Sequence, residues 1–298
     1  MKLSSLIFEQ DGKPKVLVMA GGGGAGKSTF LKQVKLDLPV LNPDKYVEGD
    51  GMHLAAAAKV VEKEVGELVS QGKSFVWDTT ASNPAKVEGL RNAGYDVMMV
   101  MVYTHPLISF LANFERERKI PKMGVLSTWA SAYGLIESYK KMLGDNFHLV
   151  SNDRGGKYDK QIAAFNSAAQ KGGEALSAFL ESLDVEAKST FSKPVEMSKE
   201  EEAAFAELQA QTDIPQDDEG GMKYLKRDFL KNPSLYEKQG FSRLEKRYEA
   251  YLRDKAKRDA KYISTLDTIA TLLSSSQIKD MEAEEASAVA TKVQEFLS

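Results

Sequence analysis

The run Gly21-Gly22-Gly23-Gly24-Ala25-Gly26-Lys27-Ser28-Thr29 matches the spacing G-x-x-x-x-G-K-[ST]. Glycines at this density let backbone N–H groups turn inward around phosphate oxygens. Lys27 stands where an ammonium reaches the β- and γ-phosphates of a nucleotide, and Ser28 where a hydroxyl ligates Mg²⁺. The context agrees with the pattern. Lys15 to Ala20 is nearly all apolar, as a strand buried on both faces must be, and 27–37 reads as a helix opened by the loop. Gly21 to Thr29 are therefore the candidate residues for binding ATP with Mg²⁺.

A loop of this kind serves motors, switches and kinases alike. A motor carries an apolar strand ending in Asp followed by a water-polarising Glu. Here Ser74-Phe75-Val76-Trp77-Asp78 is followed by Thr79-Thr80. The Asn-Lys-x-Asp pattern that reads guanine is absent. Both observations favour transfer to a substrate hydroxyl over hydrolysis. Asp44, at the end of the apolar stretch 39–44, is placed to accept the proton of an attacking hydroxyl. The competing role for it is a helix cap or turn. Arg116 and Arg118, in Phe114-Glu-Arg-Glu-Arg-Lys119, can neutralise charge on a transferring phosphoryl group. The competing role for them is a solvated helix face. Pro121 breaks this helix and Gly124 loosens the chain after it, as a closing lid requires.

The elements that must position these residues are set by periodicity. Leu6-Ile7-Phe8 and 15–20 flank Asp11-Gly12, a hairpin-type turn signal. Further strands are expected at 39–44, 73–78, 96–104 and 147–151, and helices at 27–37, 52–71, 84–93, 106–119 and 125–143. Alternation of this kind implies right-handed crossovers and a mostly parallel sheet, with ligands at the strands' carboxyl ends. From about 156 the strand signals stop. Helical patterns run over 160–183, 200–211 after Ser198 as N-cap, 242–273 and 277–296. The acidic stretch 212–221, with Pro215 and Gly220-Gly221, reads as a loop or candidate hinge. The expected division is a kinase-like domain over 1–155 and a helical region over 156–298.

Composition narrows the classes. The chain has 298 residues, room for about two domains. A net charge of −3 argues against non-specific coating of nucleic acid. Cysteine is absent, which excludes disulfides, thiol catalysis and Cys-ligated metals. The three histidines, His53, His105 and His148, are far apart, which speaks against a histidine metal site or a Ser-His-Asp triad. No apolar run approaches the length of a membrane span, and residues 1–8 are too short for a signal peptide, so a cytoplasmic location is expected. Charge is uneven in the second half. Residues 200–219 are acidic, whereas 223–261 are basic and hold Tyr224, Phe229, Tyr236, Phe241, Tyr248 and Tyr251. Such a stretch either holds single-stranded nucleic acid or packs its aromatics inward.

Taken in order, these pieces resemble the P-loop kinases that include polynucleotide 5′-kinases and zeta toxins. The resemblance rests on the P-loop, on Asn42-Pro43-Asp44-Lys45-Tyr46, on Asp78-Thr79-Thr80-Ala81-Ser82-Asn83-Pro84, on Gly94-Tyr95-Asp96-Val97 and on Arg116/Arg118, and covers about 1–155. It implies an α/β fold with a five-stranded parallel sheet of order 2-3-1-4-5. It implies Asp44 as general base, and Asp78 and Thr80 as binding the acceptor or ordering the metal's water shell. Lys27 and Arg116, with Arg118 next, would stabilise the transferring charge, and Asn152 to Arg154 would border the adenine. Two departures stand out. Polynucleotide kinases of this type carry an arginine shortly after the base, where this chain has Lys45-Tyr-Val-Glu-Gly-Asp50. Zeta toxins typically carry Glu-Gly-Thr where this chain has Asp78-Thr79-Thr80.

Three readings remain open at this point. One is a kinase of polynucleotide 5′-hydroxyl ends, with 223–261 holding the strand. Another is a zeta-toxin-like kinase of a sugar nucleotide or other small metabolite. The last is a nucleotide-binding assembly protein, working through its C-terminal helices with a protein partner or a second copy.

Overall fold

The computed structural model describes residues 12–34, 36–49, 52–115, 120–152, 154–183 and 195–298. The stretch 6–8 and Asp11 of the expected hairpin lie outside them, as do Arg116 and Arg118. Strands β1 (Lys15–Ala20), β2 (Val40–Leu41), β3 (Phe75–Asp78), β4 (Asp96–Tyr103) and β5 (Phe147–Ser151) form a parallel sheet of order β2-β3-β1-β4-β5. The apolar run of β1 has its cause here. It is the central strand, and Val16 to Ala20 are 0% exposed. Because every strand is parallel, all carboxyl ends share one edge, and the residues after them converge there.

Helices α1 (Lys27–Gln33), α2 (Pro43–Gly49), α3 (Leu54–Ser70), α4 (Pro84–Asn92) and α5 (Pro106–Phe114) alternate with the strands. They are followed by α6 (Lys122–Tyr133), α7 (Ile136–Leu143), α8 (Asp159–Ala169) and α9 (Gly173–Ser182). Beyond these come α10 (Lys199–Gln209), α11 (Glu219–Lys231), α12 (Pro233–Gln239), α13 (Phe241–Ser274), α14 (Ser276–Lys279) and α15 (Ala286–Leu297).

The chain forms two compact units, Met1–Val185 with Thr265–Ser298, and Glu186–Ser264. This differs from the expected division at 155, and α15 supplies the reason. Alternate residues of the strands, Leu17 and Met19, Met98, Val100 and Val102, and Val150, share one face of the sheet and cluster there with Phe30 and Val34 and with Val289 and Val293 of α15. The last helix therefore completes the sheet's core. The segment before it adds one bridge to the edge of β5, where the Glu284 N–H donates to Leu149 O at 2.7 Å. On β5 itself, His148 Nδ1 lies 2.8 Å from Glu284 Oε1, and Glu284 also pairs with Lys292. Burial pushes the Glu284 carboxyl up, but its bonds to Lys292 and His148 outweigh this and hold it below the ordinary range.

Several expected helices are interrupted where the local chemistry demands it. The stretch 125–143 breaks at Gly134-Leu135, 160–183 at Gly172 (φ 101°), and 277–296 between α14 and α15. The stretch 39–44 is strand only over Val40–Leu41, because Pro43 opens α2 and puts Asp44 on a helix.

The Glu186–Ser264 unit is helical among its described residues. Ser198 caps α10 as expected, its Oγ accepting from the Glu201 N–H at 3.2 Å while its own N–H donates to Glu201 Oε2 at 2.8 Å. The core gathers Phe205, Ile214, Met222, Leu225, Phe229, Tyr236 and Leu244. Gly220-Gly221 lie in the first turn of α11 rather than in a loop. A Cβ on Gly220 would sit 2.5 Å from Tyr251 Oη, and one on Gly221 2.6 Å from Tyr248 Cε2. The glycines are there so that two tyrosines of α13 can approach. Those tyrosines donate to Asp218, at 2.9 Å from Tyr248 and 3.4 Å from Tyr251.

Candidate active site

The site is assembled at the carboxyl edge of the sheet. The loop 21–26 leaves β1 and enters α1, whose N-cap is Gly26. Gly21 has φ 137°, and a Cβ there would lie 2.6 Å from Val102 O on β4, so the turn needs glycine. The Ala25 N–H closes the loop onto Gly22 O at 3.2 Å. Two side chains of α6 hold its first half. The Gly22 N–H donates to Tyr133 Oη at 3.3 Å and the Gly23 N–H to Thr128 Oγ1 at 3.4 Å. Among the described residues, the N–H groups of Gly24, Gly26, Lys27 and Ser28 find no acceptor. Unmatched donors converging at a helix entry fit a polyphosphate.

Lys27 Nζ donates to Gly21 O at 3.0 Å and Gly22 O at 3.4 Å, and lies 3.8 Å from Asp78 Oδ1. Asp78 ends β3 and is 5% exposed. Its other oxygen accepts from Asn42 Nδ2 at 2.9 Å, and Asn42 Oδ1 accepts from the Asp44 N–H at 2.8 Å. Lys27, Asp78, Asn42 and the backbone of Asp44 are thus joined by successive polar contacts from α1 across β3 to the start of α2. Asn42 takes the cap position of α2, its Oδ1 accepting from the N–H of the half-buried Asp44. Tyr46, on the same helix, donates to Glu64 of α3 and ties α2 in place.

Ser28 and Thr29 are exposed in the first turn of α1. The Thr80 hydroxyl donates to Ser82 Oγ at 3.3 Å, beside Ala81, which has φ 51°. The Ala81 carbonyl accepts from Tyr139 of α7 at 2.8 Å, and burial pushes that phenol up to about 12. Asn152 Nδ2 donates to Ala25 O at 2.8 Å, so its amide is engaged with the loop. Arg154 belongs to the short turn Arg154–Gly156.

The histidines serve local structure. His53 caps α3, accepting from the Ala55 N–H at 3.4 Å. His105 caps α5 through Nδ1, accepting from the Leu107 N–H at 3.3 Å, while Nε2 faces Asn166 Oδ1 at 3.0 Å. Burial lowers its pKa to about 4, so the ring is neutral and Nε2 carries the proton.

The aromatics of 223–261 are mostly turned inward. Phe229, Tyr236 and Tyr251 are buried, Tyr224 and Tyr248 half-buried, and Phe241 exposed. The basic side chains are partly consumed as well. Arg243 Nη2 lies 3.0 Å and Arg247 Nε 3.1 Å from the Asp228 carboxylate, which also accepts from Tyr236 at 2.8 Å.

Sequence reasoning did not single out Asn42, Thr128, Tyr133 or Tyr139. Asn42 stood inside a quoted motif. Tyr133, four residues after Trp129, carries only the spacing of a buried helix face.

The chain's segment 3–124 matches the zeta toxin family. No curated protein matches the chain. Among solved structures it is similar to one from the PezAT chromosomal toxin–antitoxin system of Streptococcus pneumoniae, with 20% identity and a TM-score of 0.38, covering 48% of this chain and 70% of that one. It is also similar to the AvrRxo1-ORF1:ORF2 complex in native form, with 15% identity and a TM-score of 0.37, covering 47% of this chain and 55% of that one. The same complex with ATP gives 16%, 0.37, 48% and 56% respectively. The chain thus spans little more than half the length of the AvrRxo1 chains. No helix among the described residues is long and apolar enough to cross a membrane. Over residues 3–124, the segment that carries the P-loop, Asn42, Asp44 and Asp78, the chain is thus similar to the zeta toxin family of P-loop kinases.

Proposed function

We propose that this protein is an ATP-dependent kinase that transfers the γ-phosphoryl group to a hydroxyl of a sugar nucleotide or similar small metabolite. The observation that carries the reading is the contact chain Lys27–Asp78–Asn42–Asp44, which links the phosphate loop to the backbone N–H of Asp44, the residue that carries the proposed base on the neighbouring helix. A binding scaffold needs the loop; it does not need a carboxylate-bearing residue coupled to it through Asp78 and Asn42. The inward packing of the aromatics in 223–261 supports a small acceptor over a polynucleotide strand.

In this reading the N–H groups of Gly24, Gly26, Lys27 and Ser28 cradle the triphosphate. Lys27 leaves the carbonyls of Gly21 and Gly22 for the phosphate oxygens, which are stronger acceptors. The donor set fits Mg²⁺: Ser28 would offer it a hydroxyl, and the buried Asp78 carboxylate would act on it through water. When bound, the ion neutralises charge on the β- and γ-oxygens. Asp44 accepts the acceptor's proton as the new O–P bond forms in line with the breaking one. Asp78, Asn42 and Thr80 orient the acceptor. The protein supplies position and charge rather than covalent chemistry.

The test is transfer of labelled γ-phosphate with Mg²⁺ to sugar nucleotides, nucleosides and 5′-hydroxyl oligonucleotides. Label on a small molecule that persists at high salt, and disappears in Asp44→Ala, supports the proposal. Label on the oligonucleotide, falling steeply with salt, replaces it with the end-kinase reading. ATP binding without transfer to any acceptor favours an assembly role.

A further inference from the structure

We propose that Asn152 is a positioning residue for the triphosphate cradle, acting through the Ala25–Gly26 peptide; the inference rests on the nucleotide-binding reading above. A peptide unit is planar, and in its trans form the C=O and N–H point in opposite directions. Asn152 Nδ2 holds Ala25 O at 2.8 Å, and only the amide nitrogen of Asn can face a carbonyl. Pinning that oxygen aims the Gly26 N–H the other way. This N–H is one of the four in the loop with no acceptor among the described residues. The side chain thus sets the direction of a phosphate-binding donor without touching the phosphate.

Asn152 is itself held rigidly. Its N–H donates to Tyr103 O at 2.8 Å, its carbonyl accepts from Thr104 Oγ1 at 2.8 Å, and the Thr104 carbonyl accepts from Trp129 Nε1 at 2.8 Å. Thr104 is 1% and Trp129 0% exposed. A line of hydrogen bonds, buried at its α6 end, therefore runs from α6 through the ends of β4 and β5 to the loop. Gly26 fits the same arrangement. Its φ is 101°, and a Cβ there would lie 2.4 Å from Asn152 Nδ2. The absence of a side chain at 26 is what lets the amide close on the loop. An adenine-bordering role, by contrast, would leave the amide facing the base rather than committed to Ala25 O.

The experiment compares wild type with Asn152→Leu, which keeps the shape without the donor, and Asn152→Ala. Binding of ATP, GTP and inorganic tripolyphosphate is measured by calorimetry, with thermal melting as the check on folding. The expected result is that each variant weakens all three probes by the same factor, about tenfold, the scale of one donor turned away from a charged acceptor. In turnover the KM for ATP rises and the KM for the acceptor stays put. Unchanged binding in a folded variant overturns the inference. So does a loss for ATP with tripolyphosphate unaffected, which would mark a base contact. Wild type that binds neither ATP nor tripolyphosphate brings down the nucleotide reading itself and this inference with it. If Asn152→Leu does not fold, Thr104→Val, which frees the Asn152 carbonyl, tests the same line with a smaller loss of the same common pattern.

Discussion

Asn42 hydrogen-bonds the Asp78 carboxylate with its amide nitrogen at 2.9 Å and receives the Asp44 N–H on its amide oxygen at 2.8 Å, so one side chain couples β3 to the helix bearing the proposed base. Asn42→Ala should destabilise the fold by about 1 kcal/mol, as losing a cap does. It should also lower kcat by roughly tenfold, because both carboxylates lose their alignment. Asn42→Asp would keep the cap and place a second carboxylate against Asp78. Melting curves together with kcat separate the two effects: a normal kcat in Asn42→Asp would show that the link to Asp78 is not needed.

Lys27→Ala and Asp44→Ala should each lower kcat by at least ~100-fold, the usual size of losing one charge-stabilising or acid–base group. They should differ in binding. Asp44→Ala should retain ATP affinity close to wild type, whereas Lys27→Ala should lose it. Calorimetric titration with ATP distinguishes them, and normal turnover by Asp44→Ala would remove Asp44 as the base.

Gly221→Ala should destabilise the helical unit by about 1–3 kcal/mol, since its Cβ would meet a rigid ring at 2.6 Å and the Asp218 carboxylate at the same distance. The change should appear as an earlier unfolding step for that unit. A variant of unaltered stability but slowed turnover would instead point to a moving joint.

The pair of Glu284 with Lys292 and His148 predicts an acid-sensitive contribution to stability. The folded-state pKa of Glu284 lies below its ordinary value. Its contribution is therefore complete above the ordinary glutamate range and is lost as pH falls through the lowered value. The stability gap between wild type and Glu284→Gln should be full near neutral pH and shrink in acid. Denaturant melts at a series of pH values measure it, and a gap that widens in acid would contradict the assignment.

Val293 is 0% exposed in the sheet's core. Val293→Ala should cost about 2 kcal/mol through lost burial and the cavity left behind. Leu252→Ala, at a position 43% exposed, should change stability by no more than about 0.5 kcal/mol. A similar cost for both would mean that α15 is not part of the core.

The sequence alone determined the phosphate loop, the alternation that makes a parallel sheet, and the strand order implied by resemblance. These are local or motif-borne: the all-apolar β1 followed by Gly21 to Ser28 admits few structures other than strand, loop and helix. It also carried the N-cap at Ser198, whose partner Glu201 is three residues away. Only the tertiary structure decided the rest. That Gly220-Gly221 accommodate Tyr248 and Tyr251 depends on contacts about thirty residues away along the chain. That Tyr133 holds Gly22, and Asn152 holds Ala25, depends on separations of 111 and 127 residues. The sequence placed a last helix at 277–296 but left open what it packs against, since a helical period says that one face is apolar and not what covers it. Packing against Leu17, Met19 and Val150 answers that, and moves the boundary between the units away from 155. Periodicity states which residues must be buried; only long-range contacts state against what.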